Sequence, residues 1–343
     1  MDISIEFSYN IFNYFQCRRS EKVILMNKKK RLTILAAVAL LIILGACGVF
    51  GYSFAKRVYT NAMREIESIQ TTLSTVQQQI ASLEQATSSL AHFYDFDYSW
   101  MEEVPPLIAH AGGGIEDATY TNSREAFEAN YEIGHRIFEI DFDLTDDSAL
   151  IASHGETKWR KITENESLIY SEKNFLETPI YGKYQPMTYQ DVVDLMARYP
   201  DAYLVADTKY YDRSTVMLQF SQLVKYAEDI DPDILDRIIP QIYNEEMLDW
   251  VMAVYPFRSV IFTLYKAKWT PESVLEFCRS SGVRFITMPC KSFRPEIADL
   301  FDQLDISIAV HTTNSEEDVN AFFENGVDMI YTDFLMPDMF PEM

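Results

Sequence analysis

From Pro106 to its end the chain alternates short β-like runs with longer helical ones eight times, and few folds accept that order. The strand candidates are Leu107–Ala109, Ile137–Phe142, Tyr203–Asp207, Ile238–Gln241, Ser259–Thr263, Phe285–Met288, Ser307–Val310 and Met329–Thr332. Helical stretches at Ser123–Ile133, Tyr189–Tyr199, Ser214–Ile230, Asn244–Val254, Pro271–Ser280 and Ser315–Asn325 lie between them. Eight strand-helix units in this length predict a closed parallel TIM (β/α)8 barrel over residues 107–343. In such a barrel the chemistry collects at the C-terminal ends of the strands, so the residues that follow each run are the ones to read.

Those residues are polar in a pattern. The first run ends at His110, in Ile108-Ala109-His110-Ala111-Gly112. The second carries Glu139 and Asp141, two apart and therefore on one face of a strand. On a barrel strand that face is the interior, where two unpaired carboxylates are costly and a cation removes the cost. A hairpin strand, Ala149–Ser153, leads to His154, and the third run ends in Asp207-Thr208-Lys209. Three carboxylates, Glu139, Asp141 and Asp207, without cysteine suit one hard oxygen-seeking ion, Mg²⁺ or Ca²⁺. His110 and His154 beside them are candidates for general acid and base near neutral pH. Asn122 reads either as part of this site or as a turn or helix-cap residue, and His92, His135 and His311 read as structural.

At these positions the chain resembles the glycerophosphodiester phosphodiesterase family, within the phospholipase-C-like phosphodiesterase barrels. The corresponding segments are His110-Ala111-Gly112, Tyr120-Thr121-Asn122-Ser123, Glu139-Ile140-Asp141, Thr145-Asp146-Asp147, His154-Gly155 and Asp207-Thr208-Lys209. Further on, His311-Thr312-Thr313-Asn314 and Gly326-Val327-Asp328 through Thr332-Asp333 continue the likeness. The resemblance implies that His110 and His154 form the acid/base pair, that Glu139, Asp141 and Asp207 hold the metal, and that Lys209 contacts phosphate. It also implies that one histidine helps the attacking oxygen, a neighbouring substrate hydroxyl in some cases, while the other protonates the leaving alcohol. Three positions depart from the family pattern. Ala111 stands where arginine is usual, Gly155 where aspartate is usual, and Asp207 where glutamate is usual, the last being similar to the sphingomyelinase D-like phospholipases.

Ahead of the barrel, Leu32–Phe54 is an uncharged run of 23 residues, long enough to span a bilayer. Lys28-Lys29-Lys30-Arg31 precedes it directly, which places residues 1–31 in the cytoplasm and everything after Lys56 outside. Two variants share that outcome. A start at Met26 makes residues 1–25 an over-extended beginning, and Leu44-Gly45-Ala46-Cys47 resembles a lipoprotein cleavage box with Cys47 lipidated. Residues 56–92 carry apolar side chains in a 3-4 alternation, Tyr59, Ala62, Ile66, Ile69, Leu73, Val76, Ile80, Leu83, Thr87 and Leu90, which predicts a coiled-coil stalk and a homo-oligomer. Residues 93–106 read as an aromatic, acidic linker closed by Pro105-Pro106.

Charge narrows the partners. Residues 1–31 take seven of the 29 basic and three of the 52 acidic side chains, leaving 22 against 49, a net of −27. Such a body repels phosphate chains, so nucleic acid is excluded as a general partner and a small or lipid-borne phosphodiester is favoured. Cys278 and Cys290 are the only cysteines in the body, too few for a disulfide framework, and read as two thiols or one bridge. The sequence therefore predicts a membrane-anchored, extracytoplasmic, metal-dependent phosphodiesterase acting on lipid headgroups or envelope polymers. The alternative is a catalytically silent barrel that works as an envelope scaffold or receptor through its coiled coil.

Overall fold

The computed structural model describes residues 49–88, 93–164, 167–266 and 268–340. The expected cytoplasmic residues 1–31, most of the expected anchor Leu32–Phe54, Cys17, Cys47 and His92 lie outside the described residues. The chain divides into two units, one through Leu90 and one from Ala91.

The first unit contributes helix α1, Val49–Ser88, of 40 residues. Its threonines at 60, 71, 72 and 75 return their hydroxyls to carbonyls four residues back, so they cost the helix no unpaired donor. Tyr59, Ile69 and Val76 on the 3-4 stripe are exposed. Among the described residues no helix is long and apolar enough to cross a membrane.

The second unit is the barrel. Its strands are β1 Leu107–Ala109, β2 Ile137–Leu144, β3 Leu150–Ala152, β4 Tyr203–Asp207, β5 Ile238–Ile242, β6 Ile261–Thr263, β7 Phe285–Pro289, β8 Ser307–His311 and β9 Met329–Thr332. Eight are parallel, in the order β1-β9-β8-β7-β6-β5-β4-β2, and the β1–β2 pairing closes the ring. Strand β3 is an antiparallel hairpin partner of β2. Each strand expected from the sequence is present, with small changes at its ends.

Burial on both faces explains why the strands read as apolar runs rather than alternations. Ile108, Ile137, Val205, Ile239, Ile261, Phe285, Ala309, Met329 and Tyr331 pack together with Trp100 as one buried cluster. On β2 the neighbours of that inward set face the helices, and Phe138 stacks on Phe127 at 3.9 Å between ring centroids. The segment expected as a linker is packed against the barrel. Trp100 is 1% exposed, stacks on Tyr203 at 4.9 Å and donates to Ser259 Oγ at 3.1 Å. The Tyr98 hydroxyl donates to the Val260 carbonyl at 2.8 Å, and Asp97 pairs with Arg258.

Helices α2 Arg124–Glu132, α5 Tyr189–Arg198, α6 Arg213–Ile230, α7 Glu245–Met252, α8 Pro271–Ser281 and α10 Glu316–Glu324 match expectation, and α3 Glu156–Thr163, α4 Glu172–Glu177 and α9 Pro295–Asp302 are additional. The expected helices announce themselves by their caps. Ser123, Thr188, Asp212, Asn244, Thr270 and Ser315 each accept a backbone N–H from the first turn. Helix α3 has only two buried residues, Trp159 and Ile162, too few to mark a period. They settle into a small separate core with Ile151, Tyr170 and Phe175 beside the hairpin. Cys278 and Cys290 are free thiols.

Candidate active site

Strand register puts the acidic residues together. Asp141 on β2 is the direct neighbour of Asp207 on β4, and Glu139 sits one inward position below Asp141. All three are buried, and one oxygen from each lies within 4.8 Å of the others. Burial and the Asp141 charge push the Glu139 carboxyl up to about 8. Burial opposes ionisation of Asp141 too, but Lys209 and then the two histidines outweigh it and hold Asp141 well below the carboxylate range. Asp141 Oδ1 is ion-paired with the Lys209 ammonium at 2.5 Å. A buried all-oxygen set of three carboxylates fits a hard divalent cation.

Lys209 lies among the carboxylates. Its backbone is left-handed, at φ 59°, which folds the side chain back over the strand end. The ammonium bridges Asp141 and Asp207.

The carboxylates are themselves held. Tyr243 donates to Asp207 Oδ1 at 2.6 Å. Asn122, at φ 47° and fully buried, donates to Asp141 Oδ2 at 3.0 Å and accepts the Asp141 N–H at 3.0 Å. Of its two sequence readings, the structure puts Asn122 at the site, where no cap of a helix is made by it. The Ala111 N–H donates to Glu139 Oε2 at 2.8 Å, from a backbone also in the left-handed region. Beyond Tyr243 a cavity of about 610 Å³ opens, lined by Tyr211, Trp250, Lys266 and Trp269 among others.

His110 follows β1 at the same mouth. Its Nδ1 lies 2.9 Å from Asp333 Oδ1 at the end of β9. Asp333 is fixed in turn by Asn314, which donates to Asp333 Oδ2 at 2.9 Å and accepts the Asp333 N–H at 2.7 Å. Burial alone would lower His110, but the Asp333 hydrogen bond and the charges of Glu139, Asp333 and Asp141 together raise it. His154 follows β3 and is the most exposed of the predicted site residues. Burial within the wall of the mouth still lowers it, against the pull of Asp141. The ring of Tyr120 stands edge-on to both histidines, 4.7 Å from His110 and 5.3 Å from His154 between centroids. Gly155 adopts φ 102°, a conformation that excludes the aspartate usual there in the family resembled.

Five of the six predicted residues thus meet at one strand mouth, and His154 faces them across Tyr120. Asp333, Asn314, Tyr243 and Tyr120 were not singled out. Asp333, Asn314 and Tyr120 lie inside segments that carry the family resemblance, whereas Tyr243 has no sequence signal beyond following β5 by one residue. His135 is structural, with Nε2 2.9 Å from the Leu335 carbonyl. His311 ends β8 with its ring between Tyr265 and Tyr331, and its Nε2 is buried without a hydrogen bond.

No protein-family model matches the chain. No curated protein matches it either. Solved structures do. A glycerophosphodiester phosphodiesterase from Parabacteroides distasonis is 18% identical, with a TM-score of 0.56 over 68% of this chain and 94% of that one. An Oleispira antarctica phosphodiesterase in complex with the product sn-glycerol-3-phosphate is 15% identical, with a TM-score of 0.58 over 70% and 97%. A glycerophosphodiester phosphodiesterase from Agrobacterium tumefaciens is 17% identical, with a TM-score of 0.51 over 69% and 99%. The barrel therefore has the fold of the glycerophosphodiester phosphodiesterases.

Proposed function

We propose that the chain is a metal-dependent phosphodiesterase that hydrolyses glycerophosphodiester-type bonds in lipid headgroups or envelope polymers. The observation that carries this reading is the convergence of Glu139, Asp141 and Asp207 with a carboxylate-held histidine at one strand mouth. The bound product named for the Oleispira structure supports the substrate class.

Glu139, Asp141 and Asp207 would hold one Mg²⁺ or Ca²⁺, which when bound supplies Lewis-acid polarisation of a phosphoryl oxygen. His110 commits Nδ1 to Asp333, so Nε2 is the atom left to carry a proton. Held by Asp333 and the neighbouring carboxylates, His110 takes a proton more readily than a free imidazole and serves as the acid that gives it to the leaving alcohol. Lowered, His154 is neutral and serves as the base for the attacking oxygen, whether water or a neighbouring hydroxyl. Lys209 favours the ionised form of Asp141, and its ammonium, which pairs with Asp141 and Asp207, would contact phosphate at this mouth. The cavity beyond Tyr243 has room for the rest of the substrate.

The stalk and the anchor complete the proposal. The exposed Tyr59, Ile69 and Val76 of α1 support self-association through a coiled coil, and the charge-free Leu32–Phe54 supports a single membrane span with the barrel outside the cytoplasm.

The test is an assay of the purified chain against glycerophosphodiesters, lysophospholipids and a glycerol phosphate polymer, with Mg²⁺, with Ca²⁺ and with chelator. Hydrolysis that chelator abolishes and metal restores is expected. No hydrolysis of any diester with either metal would establish the silent scaffold instead.

A further inference from the structure

The site as described carries more negative than positive charge. Glu139, Asp141, Asp207 and Asp333 face Lys209, and Ala111, next to His110, adds no charge. An anionic phosphodiester brings its own charge to this acidic mouth, and transfer to phosphorus adds further negative charge at its oxygens. A second cationic side chain near the histidines would answer that charge.

The small helix α3 brings one. It starts two residues after His154, and its rotation is fixed because Trp159 and Ile162 are buried in the side core. Lys158 is thereby turned the other way, to the mouth. Its ammonium lies 3.8 Å from the centroid of the Tyr120 ring. That same ring is edge-on to His110 and His154, so Lys158 is held on the ring that borders both the acid and the base. Burial and then the Lys161 charge lower its pKa, and the charges of Asp141 and Asp333 reach it in the opposite sense.

We propose that Lys158 is a phosphate-binding residue of this site, closing on the non-bridging oxygens of the diester between His110 and His154. The inference rests on the phosphodiesterase reading. The ammonium rests on the face of Tyr120, a contact weaker than a charge-assisted hydrogen bond to phosphate, so an arriving anion would draw it off. Lysine serves here as a mobile point charge, which suits a group that must follow phosphate as its geometry changes.

The experiment compares the full chain with Lys158→Met, Lys158→Arg and, as a control on the same helix, Lys161→Met. Binding of inorganic phosphate is titrated by calorimetry with Mg²⁺ present, and KM and kcat are measured on bis(p-nitrophenyl) phosphate. In Lys158→Met the phosphate Kd and the KM should both rise about tenfold, the loss of one charge-assisted hydrogen bond. Mg²⁺ affinity should stay as it was, Lys158→Arg should recover most of the loss, and Lys161→Met should match the parent. Parental phosphate binding and KM in Lys158→Met, with the parent active, would overturn the assignment alone. A parent that neither binds phosphate nor cleaves diesters would overturn the phosphodiesterase reading, and this inference with it.

Discussion

Tyr243→Phe isolates the support of one proposed metal ligand without touching any ligand. The ring is 4% exposed, so phenylalanine keeps its packing and only the hydroxyl is lost. That hydroxyl donates to Asp207 Oδ1 at 2.6 Å. Oδ1 then keeps one donor, the Lys209 N–H at 3.2 Å, and Oδ2 keeps the Lys209 ammonium. A hydrogen bond to a buried charge is worth about 1.5–3 kcal/mol. Because the oxygen is not left bare, the lower end applies, and unfolding free energy in the absence of metal should fall by about 1.5 kcal/mol. The carboxylate also becomes freer to turn, and loss of such a supporting bond costs about 10–100-fold in metal affinity. Urea unfolding in chelator measures the first quantity, and calorimetric titration with Mg²⁺ and Ca²⁺ measures the second. A variant with parental stability and parental metal affinity would refute both the hydrogen bond and the ligand role of Asp207.

Three further outcomes are expected. Asp333→Asn removes the charge that fixes the His110 ring, and turnover should drop by about 10²–10⁴-fold while metal titration stays near the parent. His135 titrates at about 4 because it is buried, against about 6.5 when unfolded, so between those values the unfolded chain binds more protons than the fold. Stability should therefore rise with pH through that window, and the step from pH 7 down to pH 5 should cost about 2 kcal/mol more in the parent than in His135→Gln, read from urea midpoints. Trp100→Ala empties a fully buried indole site, and unfolding free energy should fall by about 3–5 kcal/mol in the same assay, whereas a loss within error would show that the segment before the barrel is not part of its core.

The barrel was legible in the chain because its strands are buried on both faces and several end in or beside a polar residue that needs a reason. Glu139 and Asp141 could be paired from spacing alone, since a strand fixes where residues two apart point. The residues that steady the site could not. Tyr243 meets Asp207 across 36 residues of chain and His110 meets Asp333 across 223, contacts made by barrel closure and by no local pattern. Lys209 shows the same limit at short range. Its place after Asp207 was evident, but the left-handed turn that lays its ammonium on two carboxylates was not. Helix α3 was hidden because two buried residues on eight give no period, and Lys158 was hidden with it.

The aromatic segment ahead of β1 has a consequence for how the molecule is made. Trp100 bonds to Ser259, 159 residues later, and Tyr98 to Val260, 162 residues later. A ribosome adding about 5–20 residues per second delivers those partners roughly 10–30 seconds after the aromatic residues have emerged. Hydrophobic collapse and helix formation finish in well under a millisecond, so the segment waits through many attempts at local structure with its rings uncovered. Most of the barrel's translation thus passes with one end of its core unsealed, and the nascent chain is most prone to association in that interval.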